Sequence, residues 1–318
     1  LMPWRGLVAL VGLVTTLGAC KDVVSLRDTL DAGDDARVVV TPCDPTAELT
    51  TLGVMPDGFE PVALAARAGA VAVVGRSAGD GGGLVFFRAG GRSPTYALGA
   101  VPSSVAFDGV YAFVGSRLSD VARFSLDGER LVAPSTRAAY VAAGLPGRAA
   151  WALGGELVAW HSGVSAPRRI AALPADVLGL VSDEATIFYA QEGAVVGVDS
   201  SGREELRAPS GCQSGTPFVD RESFVCVGNG SIFVTSRATR STAELASGQD
   251  RASTVVAARG RVVWRRVRGG RGELVAAPRD GAGEPSPMLD VDTRTPLLAA
   301  DACGAYVVTG SSLVFVPL

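Results

Sequence analysis

Short apolar strings punctuate the chain at nearly constant intervals: Leu84-Val85-Phe86-Phe87, Val121-Ala122-Arg123-Phe124, Leu157-Val158-Ala159-Trp160, Val195-Val196-Gly197-Val198, Ile232-Phe233-Val234-Thr235, Leu274-Val275-Ala276-Ala277 and Leu313-Val314-Phe315-Val316. Their starts lie 37, 36, 38, 37, 42 and 39 residues apart. Most are rich in β-branched or aromatic residues and bounded by Gly, Asp or Ser, which reads as strand. Several follow a second such run across a polar or Gly-rich turn, as at Val110-Tyr111-Ala112-Phe113-Val114, Thr186-Ile187-Phe188-Tyr189 and Ala305-Tyr306-Val307-Val308. Asp108-Gly109 precedes a second strand, and Asp127-Gly128 and Asp280-Gly281 follow third strands. Asp-Gly supplies the positive φ angles of tight hairpins. A first strand fits at 103–107 and fourth strands at 93–98 and 168–173. Four antiparallel strands at a period near forty residues predict a β-propeller blade. Seven third-strand strings predict seven blades; a β-sandwich is the alternative, but it requires no regular spacing.

The seventh string is followed by no fourth strand before Leu318. Residues 45–53, with Thr46-Ala47-Glu48-Leu49, look like the fourth strand that holds Thr242-Ala243-Glu244-Leu245. The expectation is an all-β, seven-bladed propeller over 45–318, closed by this N-terminal strand. Closure hides an edge that would invite aggregation.

Ahead of the propeller, Arg5 precedes an apolar run from Leu7 to Val14 that leads into Leu17-Gly18-Ala19-Cys20. The run is too short to span a bilayer and has the form of a secretory signal. Leu-Gly-Ala-Cys resembles the lipobox of bacterial lipoproteins, in which the cysteine thiol carries a diacylglycerol. That resemblance implies a signal peptide over 1–19 and a lipidated Cys20. Residues 21–44 contain six aspartates and no aromatic, as a solvated tether would. As a flexible coil it would reach about 25–30 Å. Lys21 after the cysteine leans toward outer-membrane sorting if the cell is Gram-negative.

The unit Val105-Ala106-Phe107-Asp108-Gly109-Val110-Tyr111 leading into Val121-Ala122-Arg123-Phe124-Ser125-Leu126-Asp127-Gly128 resembles the repeats of secreted bacterial propeller lipoproteins, and more distantly YWTD and NHL propellers. The likeness is a pattern over 45–318, and it carries over no functional residue.

Composition narrows the partners. The chain has 29 Lys and Arg against 32 Asp and Glu and a formal net charge of −3. No basic field is available to hold nucleic acid. Lys21 is the sole lysine and Asn229 the sole asparagine, which reads as the codon bias of a GC-rich genome.

Four cysteines remain besides Cys20, and an exported chain meets an oxidising compartment. In propeller topology Cys212 and Cys226 fall toward one face, and Cys43 and Cys303 toward the other. The expected pairs are Cys212–Cys226 and Cys43–Cys303, with free buried thiols as the alternative.

Gly75-Arg76-Ser77-Ala78-Gly79 matches the nucleophile pattern G-x-S-x-G, but a glycine run and another strand follow where a helix is required. His161 is the only histidine and is expected on the opposite face. No metal, phosphate-loop or cofactor motif appears, and Asn229-Gly230-Ser231 reads as a tight turn. One charge cluster stands out: Arg265, Arg266, Arg268 and Arg271 around a Gly-Gly turn, together with Arg261. Charge runs usually mark a solvated face; the sharper reading is an anion-binding patch, since Arg pairs well with carboxylate or phosphate. The function expected is a noncatalytic binding or assembly module of the cell envelope, held to the membrane by lipid and docking an envelope protein or anionic polymer. The alternative is a propeller-fold periplasmic lyase or hydrolase.

Overall fold

The computed structural model describes residues 48–318 except 80, 90, 145–146, 175–176, 178, 184–185, 192–193, 200–201, 208–213, 221 and 294–296. All of these belong to the unit Asp34–Leu318. The signal peptide, Cys20, the tether, Cys43 and Cys212 lie outside the described residues.

Among the described residues the strands form seven antiparallel sheets and no helix occurs. The chain is an all-β, seven-bladed propeller. Its first strands, Glu60–Arg67, Ser104–Phe107, Val141–Ala143, Gly179–Ser182, Ser214–Val219, Val255–Ala258 and Leu298–Ala300, each pack against those of both neighbours, and the last meets the first. That contact closes the ring. Blades are numbered 1 to 7 from Glu60–Arg67. The seven third-strand strings fall in third strands, from Gly82–Arg88 to Ser312–Pro317, with Val121 alone standing one residue ahead of its strand Ala122–Ser125.

Alternation explains why those strings are apolar throughout. Ala72, Val74, Leu84 and Phe86 of blade 1 bury against blade 2, while Val71, Val73, Val85 and Phe87 bury against blade 7. Both faces of each sheet are therefore core, and a strand buried on both faces shows no polar alternation. Each seam between consecutive blades has its own buried cluster, so the core is a ring of seams rather than one centre. The first strands, where the blades converge, carry small residues such as Ala142, Ala257, Ala258 and Ala299. Large side chains such as Trp151, Phe188 and Trp264 sit in second strands and are fully buried, each contributing about 1.5–3 kcal/mol or more.

Thr50–Val54 pairs antiparallel with Ser312–Pro317 as the fourth strand of blade 7. The N-terminal strand thus closes the ring, its paired residues beginning at Thr50. Two outer strands depart from the simple four-strand unit. In blade 1 the fourth strand is split into Gly91–Arg92 and Tyr96–Leu98, because Pro94 between them has no N–H for the ladder. In blade 2 the second strand Tyr111–Asp120 outruns the third, Ala122–Ser125. The fourth is reduced to Arg130–Leu131, and Arg137–Ala138 pairs with the second strand instead.

Candidate functional site

The propeller has two faces. The upper one carries the second-to-third-strand hairpins and the crossovers between blades; the lower one carries the other two turns of each blade. Blade 6 brings the arginine cluster to the upper face. Its strands Arg261–Arg268 and Arg271–Pro278 pair without interruption, Arg268 opposite Arg271. Gly269 and Gly270 close the hairpin at φ of 58° and 80°, a left-handed pair that glycine adopts without a Cβ penalty.

Strand alternation then sorts the arginines. Val263 and Arg265 face blade 7, whereas Trp264 and Arg266 face blade 5. Arg265 is buried and donates to the carbonyl of Thr293 in the crossover leaving blade 6. Arg266 donates to Gln249 Oε1 at 3.2 Å in the crossover entering blade 6, and to Glu273 at 3.0 Å. Trp264 Nε1 donates to the same Gln249 oxygen at 3.1 Å. Two adjacent arginines therefore tie down two different crossovers. Burial lowers the Arg265 pKa; Asp292 opposes that shift and the Arg251 charge adds to it.

Arg268 and Arg271 remain exposed at the hairpin tip. Arg251, in the entering crossover and near enough to act on Arg265, is exposed as well. None of these three has a carboxylate within ion-pair distance among the described residues. The predicted patch thus divides into two structural arginines and two solvent-facing ones. Arg251, 17 positions before Arg268, joins the second group. No run in the sequence links it to them.

The lower face gathers carboxylates. Asp108 is wholly buried; its Oδ1 accepts from the amides of Val110 and Tyr111 and its Oδ2 from Gly147 of blade 3, at 2.6–2.8 Å. Burial raises its pKa against those three bonds and the Arg67 charge. Asp183 binds Thr186 N in its own turn and Arg237 of blade 5. Asp220 accepts from Glu222 and Ser223 and pairs with Arg279 of blade 6 at 2.6 Å. Asp301 accepts from Cys303 and from Gly69 of blade 1. Each caps its own first-to-second turn with one oxygen and latches the next blade with the other. The signal was present in the sequence: each Asp stands three residues before Tyr111, Thr186, Ser223 or Gly304, which begin or lead their second strands.

Ser77 lies in the upper hairpin of blade 1, between the strands Ala70–Arg76 and Gly82–Arg88. His161 ends the third strand of blade 3 on the lower side, exposed, its Nδ1 accepting from Gly163 N at 3.2 Å. The two belong to opposite faces. Asn229 and Gly230 form a left-handed tight turn in blade 5. Cys226 is buried in the second strand of blade 5 and Cys303 lies in the lower turn of blade 7. Among the described residues no three His, Cys, Asp or Glu side chains are grouped to hold a metal ion.

No family model matches the chain, and no curated protein is similar to it. Solved structures are. The computationally designed Ika8 protein shares 12% identity over 84% of this chain and 99% of that one, with a TM-score of 0.58. A chain of the Mitotic Checkpoint Complex shares 13% identity over 89% of this chain and 99% of its own, at 0.59. The WD40 domain of Pan2 from Neurospora crassa shares 9% identity over 84% of this chain and 94% of that one, at 0.64. At these identities the likeness is one of architecture: this chain has the seven-bladed propeller fold of WD40-like structures.

Proposed function

We propose that this chain is a lipid-anchored β-propeller of the cell envelope that acts as a noncatalytic binding or assembly module, docking an acidic envelope protein or anionic polymer on the upper face of blade 6. The observation that carries the reading is the trio Arg251, Arg268 and Arg271, exposed and without ion pairs among the described residues, on a hairpin and crossover held in place by Arg265 and Arg266. Preorganised cations lose less side-chain freedom on docking. On the lower face Asp108, Asp183, Asp220 and Asp301 are each engaged as latches, which supports binding over acid–base chemistry there. The same reading pairs Cys212 with Cys226 and Cys43 with Cys303, as expected of an exported chain.

Charge reversal tests the patch. Arg268→Glu with Arg271→Glu should weaken retention on immobilised poly-glutamate by tenfold or more and abolish its salt dependence, with circular dichroism unchanged. Exposed charges are screened over about 10 Å at 0.1 M salt, so wild-type retention should fall as salt rises. Equal retention of the double mutant returns the arginines to a solvated hairpin. The anchor is tested separately. Cys20→Ser should leave an unprocessed precursor without acyl label, and equal labelling and processing of the mutant would refute lipidation.

A further inference from the structure

The internal repeat supplies its own comparison. At the third position of the third-strand string six blades hold Phe86, Ala159, Gly197, Val234, Ala276 and Phe315, and blade 2 holds Arg123. In register these residues are equivalent, each paired with a second-strand residue that faces the next blade: Ala72, Ala150, Phe188, Val225, Val263 and Tyr306, against Phe113 in blade 2. A position that six blades fill with an apolar or small residue is occupied once by a cation.

Arg123 is only 8% exposed. Its guanidinium carbon lies 3.7 Å from the centre of the Tyr111 ring, on its own blade, and 5.7 Å from that of Trp160 on blade 3. Its Nε is buried without a hydrogen-bond partner, and among the described residues no carboxylate or carbonyl reaches its terminal nitrogens. A buried cation ordinarily has an anion beside it, because desolvation is costly without one. Stacking on two rings offsets only part of that cost.

Both walls are fixed independently of the arginine. Tyr111 is set by the Asp108 turn, its amide donating to Oδ1 at 2.6 Å. Trp160 donates from Nε1 to the carbonyl of Val164 at 2.8 Å and packs edge-on against Phe113. Asp108 does not turn toward the cation, since its second oxygen is taken by Gly147 N. Beside the slot the fourth strand of blade 2 is short, Arg130–Leu131 pairing with Phe124 and Arg123 alone.

We propose that this slot between blades 2 and 3 binds a carboxylate group, whose two oxygens take the in-plane donors of Arg123 while Tyr111 and Trp160 flank the guanidinium. A planar two-oxygen acceptor matches the guanidinium fork and fits a slot walled by flat rings; a tetrahedral phosphate matches neither as well. The carboxylate comes either from a small free acid or from an acidic side chain of a protein partner. The site is on the opposite side of the ring from the blade 6 arginines and stands whether or not those bind.

The test uses the full-length chain in detergent, titrated at constant ionic strength with sodium acetate, with the capped peptide acetyl-Gly-Gly-Glu-Gly-Gly-amide, and with phosphate. The expected result is a saturable shift of the Arg123 Nε–Hε resonance with acetate and a raised unfolding midpoint. Arg123→Met should be folded, at least as stable without ligand, and weaker toward acetate by about tenfold or more. Response to acetate alone assigns the site to a free acid; response to the peptide as well assigns it to a protein carboxylate. Absence of a saturable shift with either carboxylate, retention of the response in Arg123→Met, or tighter binding of phosphate overturns the proposal. If Arg123→Met does not fold, Arg123→Lys decides: it keeps the charge without the planar fork, and should bind acetate about tenfold more weakly, unchanged affinity being the refuting outcome.

Discussion

A chain cut back through Val54 is expected to lose cooperative unfolding and to aggregate, whereas one lacking only residues 21–40 keeps both properties. Thr50, Thr51, Gly53 and Val54 pair with Phe315, Val314, Leu313 and Ser312, and Met55 N continues the ladder to the Ser311 carbonyl at 2.7 Å. Leu52 packs into the seam between blades 7 and 1, beside the buried Met55 and Leu313. Several ladder bonds at about 1 kcal/mol each and one half-buried leucine amount to roughly 5 kcal/mol. That is comparable to the whole stability of many domains. Removal would also bare the edge of Ser312–Pro317, whose unpaired N–H and C=O groups can template association. The longer deletion also removes Cys43, so Cys43→Ser in the intact chain separates loss of the proposed Cys43–Cys303 bond from loss of the strand. Urea unfolding and light scattering distinguish the outcomes. A monomeric longer deletion with a wild-type transition would show that closure does not depend on this strand.

Ring closure was legible in the sequence because it is arithmetic: seven third strands, one missing fourth strand, and a matching segment near the other end. The strands were legible for a related reason. A sheet buried on both faces makes its strands continuous apolar runs, such as Val71-Ala72-Val73-Val74, that stand out against Gly- and Asp-rich turns. The arginine patch was legible as composition only. Adjacent residues on a strand point to opposite faces, so Arg265 and Arg266 had to part company, but the loops that receive them, at Gln249 and Thr293, are remote in sequence. Arg251 was invisible for the same reason. The Asp latches and Arg123 were readable by a comparison within the chain. Aligning the seven strings on their first residue puts one charge in a column of apolar and small residues. Aligning the second strands puts an Asp three positions upstream in four blades. Each anomaly has a local cause that the fold makes plain, a turn to be capped or a seam to be filled.

The second large effect is expected from one of those latches. Asp301→Ala should destabilise the propeller by about 2–4 kcal/mol, since it orphans groups on both sides of the seam that closes the ring. Its Oδ1 accepts from Cys303 N at 2.8 Å, and its Oδ2 accepts from Gly69 N of blade 1 at 2.8 Å and from the Tyr306 hydroxyl at 2.9 Å. Tyr306 is almost wholly buried, and burial, then the charge and hydrogen bond of Asp301, push its pKa far above the usual phenol value. The phenol is therefore a neutral donor at any working pH, and without Asp301 its O–H points into the seam unpaired. Tyr306→Phe removes the donor together with its need for a partner, so it should cost about 1 kcal/mol or less. Asp301→Asn keeps one oxygen and should fall between the two. Urea unfolding of the three variants gives the order. If Tyr306→Phe, which keeps the ring and its packing on Phe315, proved as damaging as Asp301→Ala, the loss would lie in the hydroxyl's bond to Asp301 and not in the latch to Gly69 across the seam. With the expected order, the carboxylate of blade 7 and the strand Thr50–Val54 act as two independent closures of one ring, and combining Asp301→Ala with the longer deletion should leave no cooperative transition to measure.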